Sequence, residues 1–409
     1  MLSEAVATDL GRDVDPRAVD GTSSLFGPRS ALEARLLEKA AASYPDLRFE
    51  HCSHEQLRAI VKREGIDFAT AVLFDRIRRV PGNTALVRAL EAATFDGMTN
   101  FARGRLLIVP ALFYRERPEI GSDGAVVAQA AQAAGLDVEV LPVGSGAIAR
   151  ENAMQLRDLL PRRIASPTVV VSLSKGCADL RLAFERMPVP QGLRAWVLVS
   201  GLLRPTPAID RLLSRWWSRI GLAMLLKQQG GSAELPREFA TGTGSPLERP
   251  AAAPPGLPVI NLIGCPLSHH LGTPFGRLRH RQMASLGPND GLTLLRDALL
   301  EPGSVYPVWG ADHYFRLPAI PTLLTRLIGH LMSIGCFDPS PVLVRGSGAR
   351  RGAPALRRAQ CVPSQSRDAS DDDGGSGPPP PRSGFGEVSP KAALTSVRPK
   401  ADGAKPPGL

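Results

Sequence analysis

The sequence predicts an α/β fold, a doubly wound and mostly parallel sheet covered by helices on both faces. Two observations predict it. Short apolar runs such as Leu106–Val109, Val169–Val171, Trp196–Val199 and Val259–Ile263 alternate with helix-forming stretches. Runs without polar alternation suit strands buried on both faces of a parallel sheet. One run, Thr168–Leu173, also breaks sharply at Ser174-Lys175-Gly176 and gives way to the helix-forming Ala178–Arg186. Strand, tight turn and helix in direct succession present a side chain at the end of the sheet.

The elements follow in order. Residues 1–29 are polar, charged and spotted with Gly and Pro, the composition of a flexible leader. Residues 30–103 form a helical N-terminal region. Ser30 caps a helix over Ala31–Ser43, with Leu32, Leu36 and Leu37 on one face. Ser53 followed by Gln56 is close to a capping box and opens a helix over 54–63. Asp67 is the expected N-cap of a helix to Arg79 closed by Pro81-Gly82, and Thr84–Ala93 is a further helix. The α/β pattern occupies 104–339. Its strands are Arg105–Pro110, Asp137–Leu141, Thr168–Leu173, Ala195–Gly201, Val259–Gly264 and a last one around Val305. Helices over Gly124–Ala134 and Ile148–Leu160 lie between them. Residues 205–257 are an insertion between two core strands. Its first part, Ile209–Leu226, reads as one strongly apolar helix, and Gly230–Gly256 as a mobile loop rich in Gly, Ser and Pro. Residues 340–409 are rich in Ser, Pro, Gly and Arg, with Asp371-Asp372-Asp373 and a run of four prolines, and are expected to be disordered.

Composition bounds the function. The formal charge is +10, but the arginines are scattered and no aromatic-interleaved basic patch or recognition motif is present, so nucleic acid is not an expected partner. Five cysteines have no metal-ligand spacing, so no metal is expected. Gly144-Ser145-Gly146 is a loop without the Gly-Lys-Ser/Thr of a phosphate cradle, so no nucleotide or other cofactor is expected. The first residues lack a basic stretch leading into an apolar core, and no run reaches the length of a transmembrane span. A cytoplasmic chain with free thiols is the expectation. Oligomeric state is not legible.

The chemistry points to a serine. At the turn, the residues two before and two after the nucleophile approach closely and must be small. Ser172 and Gly176 flank Ser174 in this way, whereas Ser172 as nucleophile would be flanked by Val170 and Ser174. A serine hydroxyl needs a base, and the base an orienting carboxylate. His313, after the run Val305–Trp309 and Gly310-Ala311-Asp312, is the best of seven histidines. His269-His270 come second, as base or substrate contact. His280 reads as solvated in an Arg-rich helix and His330 as packing. The carboxylate is Asp290, in the turn-rich Leu286–Gly291, with Asp210 as alternative. Asp312 is too near His313 in sequence to orient it, and Asp179 and Asp297 read as helix surface.

This constellation resembles the α/β-hydrolase superfamily over roughly residues 104–332, with Ser172 in place of the usual first glycine. The resemblance implies the triad order Ser174, Asp290, His313. It implies an oxyanion hole from the amide of Lys175 and one near Ala111 or Leu112, and a cap formed by 205–257 whose Trp216, Trp217, Met224 and Leu225 line an acyl pocket, with an ordinary helix packed on the sheet as the alternative. The Lys175 side chain would be solvated or favour an anion. The implied activity is hydrolysis of a small-molecule carboxylic ester or thioester through an acyl-serine, without cofactor. Acyl transfer on the same triad and a non-catalytic binding protein are the alternatives.

Overall fold

The computed structural model describes residues 27–92, 102–164 and 167–339. Most of the leader and the whole 340–409 tail lie outside the described residues. Four helices come first: α1 (Ala31–Ala42), α2 (His54–Glu64), α3 (Ile66–Arg79) and α4 (Pro81–Ala92). Strands β1 (Ala102–Arg103) and β2 (Arg105–Val109), helix α5 (Ala125–Ala133), strand β3 (Asp137–Val140) and helix α6 (Ala149–Arg163) follow. Then come β4 (Thr168–Leu173), α7 (Lys175–Phe184) and β5 (Leu193–Val199). The insertion holds α8 (Pro207–Leu213), α9 (Trp216–Gln228) and α10 (Leu235–Glu238). The chain closes with β6 (Val259–Cys265), α11 (Pro274–Met283), β7 (Ser304–Trp309), α12 (Ile320–Ser333) and β8 (Asp338–Pro339), the last pairing antiparallel with β1.

The main sheet runs β3-β2-β4-β5-β6-β7, every neighbouring pair parallel. Alternate side chains feed two cores. Ile108, Val171, Val197, Leu262 and Val308 meet α4, α5 and α12 on one face. Leu107, Val170 and Trp196 meet α6 and α7 on the other, where Ile263, Val305 and Trp309 continue under α2 and α3. The strand order reverses between β2 and β4, and their carboxyl ends open the crevice in which such sheets bind ligands.

The N-terminal helices are part of this core. Helices α3 and α4 lie against opposite faces of the edge strand β7, which would otherwise expose two apolar faces to water. Several local expectations change accordingly. Leu32 is 75% exposed and Glu33 is buried instead, because α1 turns a polar anchor toward the sheet. Gly65, at φ 89°, precedes α3 in place of Asp67, whose carboxylate accepts from the Ser268 N–H and hydroxyl. Helix α3 ends at Arg79 as expected, with Val80 extended before Pro81, and Pro81 also opens α4; the first turn is where a missing N–H costs nothing. Ser30 and Ser53 do cap α1 and α2 through their hydroxyls.

The insertion also differs from expectation. Ile209–Leu226 is two helices, α8 and α9, broken at Ser214-Arg215. Residues 230–256 are built in. Leu235, Phe239 and Leu247 are buried in the core on the α6–α7 face, and the Glu238 carboxylate accepts from the Ala149 and Arg150 amides at the start of α6. There it meets the positive end of the helix. Arg181 of α7, 2% exposed, donates to the carbonyls of Leu203, Leu247 and Arg249. Among the described residues no helix is long and apolar enough to cross a membrane.

Candidate active site

Strand β4 delivers Ser174 into the crevice with φ 47° and ψ −113°, a left-handed strained conformation for a non-glycine residue. Surrounding bonds hold it. Its N–H donates to the Val199 carbonyl, and its own carbonyl accepts from Cys177 and Leu202. The turn closes tightly at Gly176, where a Cβ would lie 2.6 Å from the carbonyl oxygens of Val109 and Pro110. Ser172 is fully buried behind the turn. Its hydroxyl accepts from Trp196 Nε1 at 2.7 Å and donates to Cys177 Sγ.

Ser174 Oγ lies 2.8 Å from His313 Nε2, and His313 Nδ1 lies 2.8 Å from Asp290 Oδ2. An ionised carboxylate only accepts, so Nδ1 carries the proton and Nε2 is left to accept from the serine hydroxyl. Asp290 and His313 are both buried. The other Asp290 oxygen accepts from the Leu292 and Thr293 amides, at 3.0 and 2.8 Å, and the His313 N–H donates to the Asp290 carbonyl. The turn residues that precede Asp290 are themselves fixed. Asn289 Nδ2 donates to the carbonyls of His280 and Gly287, and His280 Nδ1 donates to the Asn289 carbonyl. His280 is thus buried support for the acid loop, not a solvated side chain, and burial lowers its pKa.

The remaining sequence candidates fall elsewhere. Asp210 accepts from the Thr241 N–H and hydroxyl. Asp312 accepts from the Tyr314 amide and pairs with Arg316. Asp297 pairs with His54. His269 and His270 direct Nε2 toward Glu33 Oε1, at 3.0 and 3.1 Å. These three residues are grouped closely enough to hold a metal ion, but His270 Nδ1 accepts from the Leu267 N–H. That bond puts the proton of the neutral ring on Nε2, the atom facing Glu33, so the cluster reads as a hydrogen-bonded tether.

Lys175 and Asp179 are buried rather than solvated. Lys175 Nζ pairs with both Asp179 oxygens, at 2.6 and 2.9 Å, and Asn152 donates to the same carboxylate. Burial pushes the Asp179 carboxyl up to about 6 against the pull of Lys175. The Lys175 side chain therefore points behind the turn, and only its backbone amide, at the first position of α7, is available at the front. Of the two residues expected to give the second amide, Ala111 donates to the Ser122 carbonyl. Leu112 lies between two engaged amides, those of Ala111 and Phe113. Among the described residues its own N–H has no acceptor.

Ser174 and His313 open on a cavity of about 300 Å³ walled by Leu112, Phe113, Leu222, Leu225, Leu226 and Phe239. Leu225 is the one cap residue of the expected four that lines it; Trp216, Trp217 and Met224 face outward. Leu222 and Leu226, on the same helical side as Leu225, carry the signal a periodicity reading would have used. Phe113, Phe239 and Ser200 are brought in by loops and had no sequence signal. The Ser200 hydroxyl, at the end of β5, has no hydrogen-bond partner among the described residues.

The parallel sheet, the strained serine after β4 and the helices on both faces make this an α/β-hydrolase-like fold. No family model and no curated protein matches the chain. Solved structures similar to it include the mature lipase BlEst2 of Bacillus licheniformis, at 15% identity over 58% of this chain and 93% of that one, TM-score 0.38. The metagenomic carboxyl esterase MGS0156 is 16% identical over 79% and 100%, TM-score 0.44. The carboxylesterase CesB of Bacillus subtilis is 13% identical over 62% and 99%, TM-score 0.33. At these values the likeness is one of outline only.

Proposed function

We propose that this chain is a serine hydrolase that cleaves a carboxylic ester or thioester through an acyl-serine intermediate. The observation that carries the reading is the continuous relay from Asp290 through His313 to a strained Ser174 at the mouth of an apolar cavity. Ser174 Oγ attacks the acyl carbon while its proton passes to His313 Nε2. The oxyanion is received by the amides of Lys175 and Leu112. As the tetrahedral carbon collapses, the bond to the alcohol or thiol breaks, and that group leaves with the proton from His313. Water then attacks the acyl-serine, gives its proton to His313, and the acid departs as Ser174 recovers its hydrogen. Asp290 keeps the imidazole in the required tautomer and stabilises its charged form without taking the proton. Each oxyanion donor is worth about a hundred- to thousand-fold in rate. The apolar walls favour an aliphatic or aryl acyl group over a charged one.

Fluorophosphonate labelling with mass spectrometric location of the adduct, beside a panel of p-nitrophenyl esters, tests this. The expected result is one adduct, on Ser174, and turnover that Ser174→Ala lowers about ten-thousand-fold or more. A folded protein that neither labels nor turns over any ester would leave a hydrolase fold kept for binding.

A further inference from the structure

Helix α9 has two apolar sides. Leu222, Leu225 and Leu226 face the cavity. Trp216, Trp217, Ile220 and Met224 face away from it and are 67%, 48%, 52% and 58% exposed. Four large apolar side chains gathered on one short helix differ from the scattered hydrophobes of an ordinary surface, and such patches mark interaction sites.

The surrounding charge says which kind. From Arg211 to Ala233 the chain carries Arg211, Arg215, Arg219 and Lys227 and no Asp or Glu, and all four cations are exposed. The flanking acids are engaged elsewhere, Asp210 by Thr241 and Glu234 by Arg150. The two indoles meet edge to face at 5.8 Å, with the Arg215 guanidinium over the Trp217 ring. Tryptophans and long apolar side chains on one face, with cations alone at the margins, are what seat a helix in the headgroup layer of an anionic lipid surface. Each cation near such a surface strengthens partition about fivefold at physiological salt. A second copy of the chain fits less well, since a two-fold contact would set this all-cationic strip against itself.

We propose that the outer face of α9 docks this protein on anionic lipid surfaces. The inference stands apart from the ester-cleaving reading, because it uses neither Ser174 nor the cavity. Flotation of the full chain with phosphatidylcholine vesicles, with and without phosphatidylglycerol, tests it, with tryptophan emission as second readout. Partition at least about tenfold higher on the anionic vesicles is expected, with a blue shift and release by high salt. The exposed-site variant Trp216→Ser/Trp217→Ser should lose about tenfold or more on either vesicle. Arg215→Glu/Arg219→Glu should lose the preference for phosphatidylglycerol. Both should hydrolyse a short soluble ester at the unaltered rate, and Ser174→Ala should float like the unaltered chain. The proposal is overturned if the unaltered chain ignores both vesicles, if salt leaves its anionic preference intact, or if the same variants abolish a concentration-dependent self-association instead. The salt arm needs no substitution and decides the matter even where a variant misfolds.

Discussion

At the scale of single residues, Asp290 is the test of the relay. Asparagine there would offer an N–H to Nδ1 and force the imidazole into the tautomer that cannot accept from Ser174. Asp290→Asn is expected to lower kcat about ten-thousand-fold with the fold intact, whereas Asp210→Asn, whose carboxylate accepts from Thr241, should leave kcat near its original value. Steady-state kinetics on one p-nitrophenyl ester separates the two. Gly176→Ala tests the turn. The added methyl would press on two carbonyl oxygens at 2.6 Å, and a loss of about 2 kcal/mol or more in urea unfolding is expected. Ser174, Asp290 and His313 were legible because the chemistry restricts their types and the turns around them restrict their places. The amides proposed as oxyanion donors were placed only to within two residues. They are backbone groups, and whether an amide is free depends on an acceptor such as the Ser122 carbonyl that no local pattern announces.

At the scale of elements, the six strands of the main sheet were legible to within a residue or two, because most are unbroken apolar runs that have few other uses, whereas the two-residue β1 and β8 were not. The insertion was not. Its Gly and Pro content suggests mobility only when each residue is considered alone. In the fold, Gly146 and Gly231 are small because their backbones meet: a Cβ on Gly146 would lie 2.5 Å from the Gly231 Cα. Lys175 and Asp179 were misplaced for a similar reason. Spaced one turn apart they satisfy each other, and a paired cation can be buried where a single one cannot. The insertion's attachment is open to measurement at Arg181. Arg181→Met leaves two buried carbonyls and one part-buried carbonyl without their donor, and a loss of about 2–3 kcal/mol is expected. Faster limited proteolysis between 243 and 256 should accompany it, since those carbonyls include Leu247 and Arg249.

At the scale of the whole molecule, the N-terminal helices are joined to the sheet by Glu33, buried on α1. One of its oxygens meets both His269 and His270, and the other accepts from the Arg29 amide and Trp309 Nε1. Burial alone would raise the Glu33 carboxyl, but these donors outweigh it and hold it at about 2. Burial lowers the His270 pKa to about 4, against the attraction of Glu33. The ordinary histidine value is 6.5, so in acid the unfolded chain takes up this proton first. The contribution of a neutral buried His270 is therefore complete above pH 6.5 and is lost as pH falls toward 4, about 3 kcal/mol in all. Glu33 follows only below its ordinary 4.5, so the histidine dominates the upper window. Urea midpoints should fall between neutral pH and the lower end of that window, and His270→Gln should flatten the fall. This joint was invisible in the sequence, since more than two hundred residues separate its halves. The cavity has a longer consequence. Its relay sits on loops at the ends of core strands, while Leu222, Leu225, Leu226 and Phe239 all come from the insertion between β5 and β6. On the proposed reading, the bond-breaking groups and the insertion's share of the acyl walls are thus inherited on separate stretches of one gene. Descendants of such a chain can reshape much of what the cavity admits by rewriting a single segment, with Ser174, Asp290 and His313 passed on unaltered.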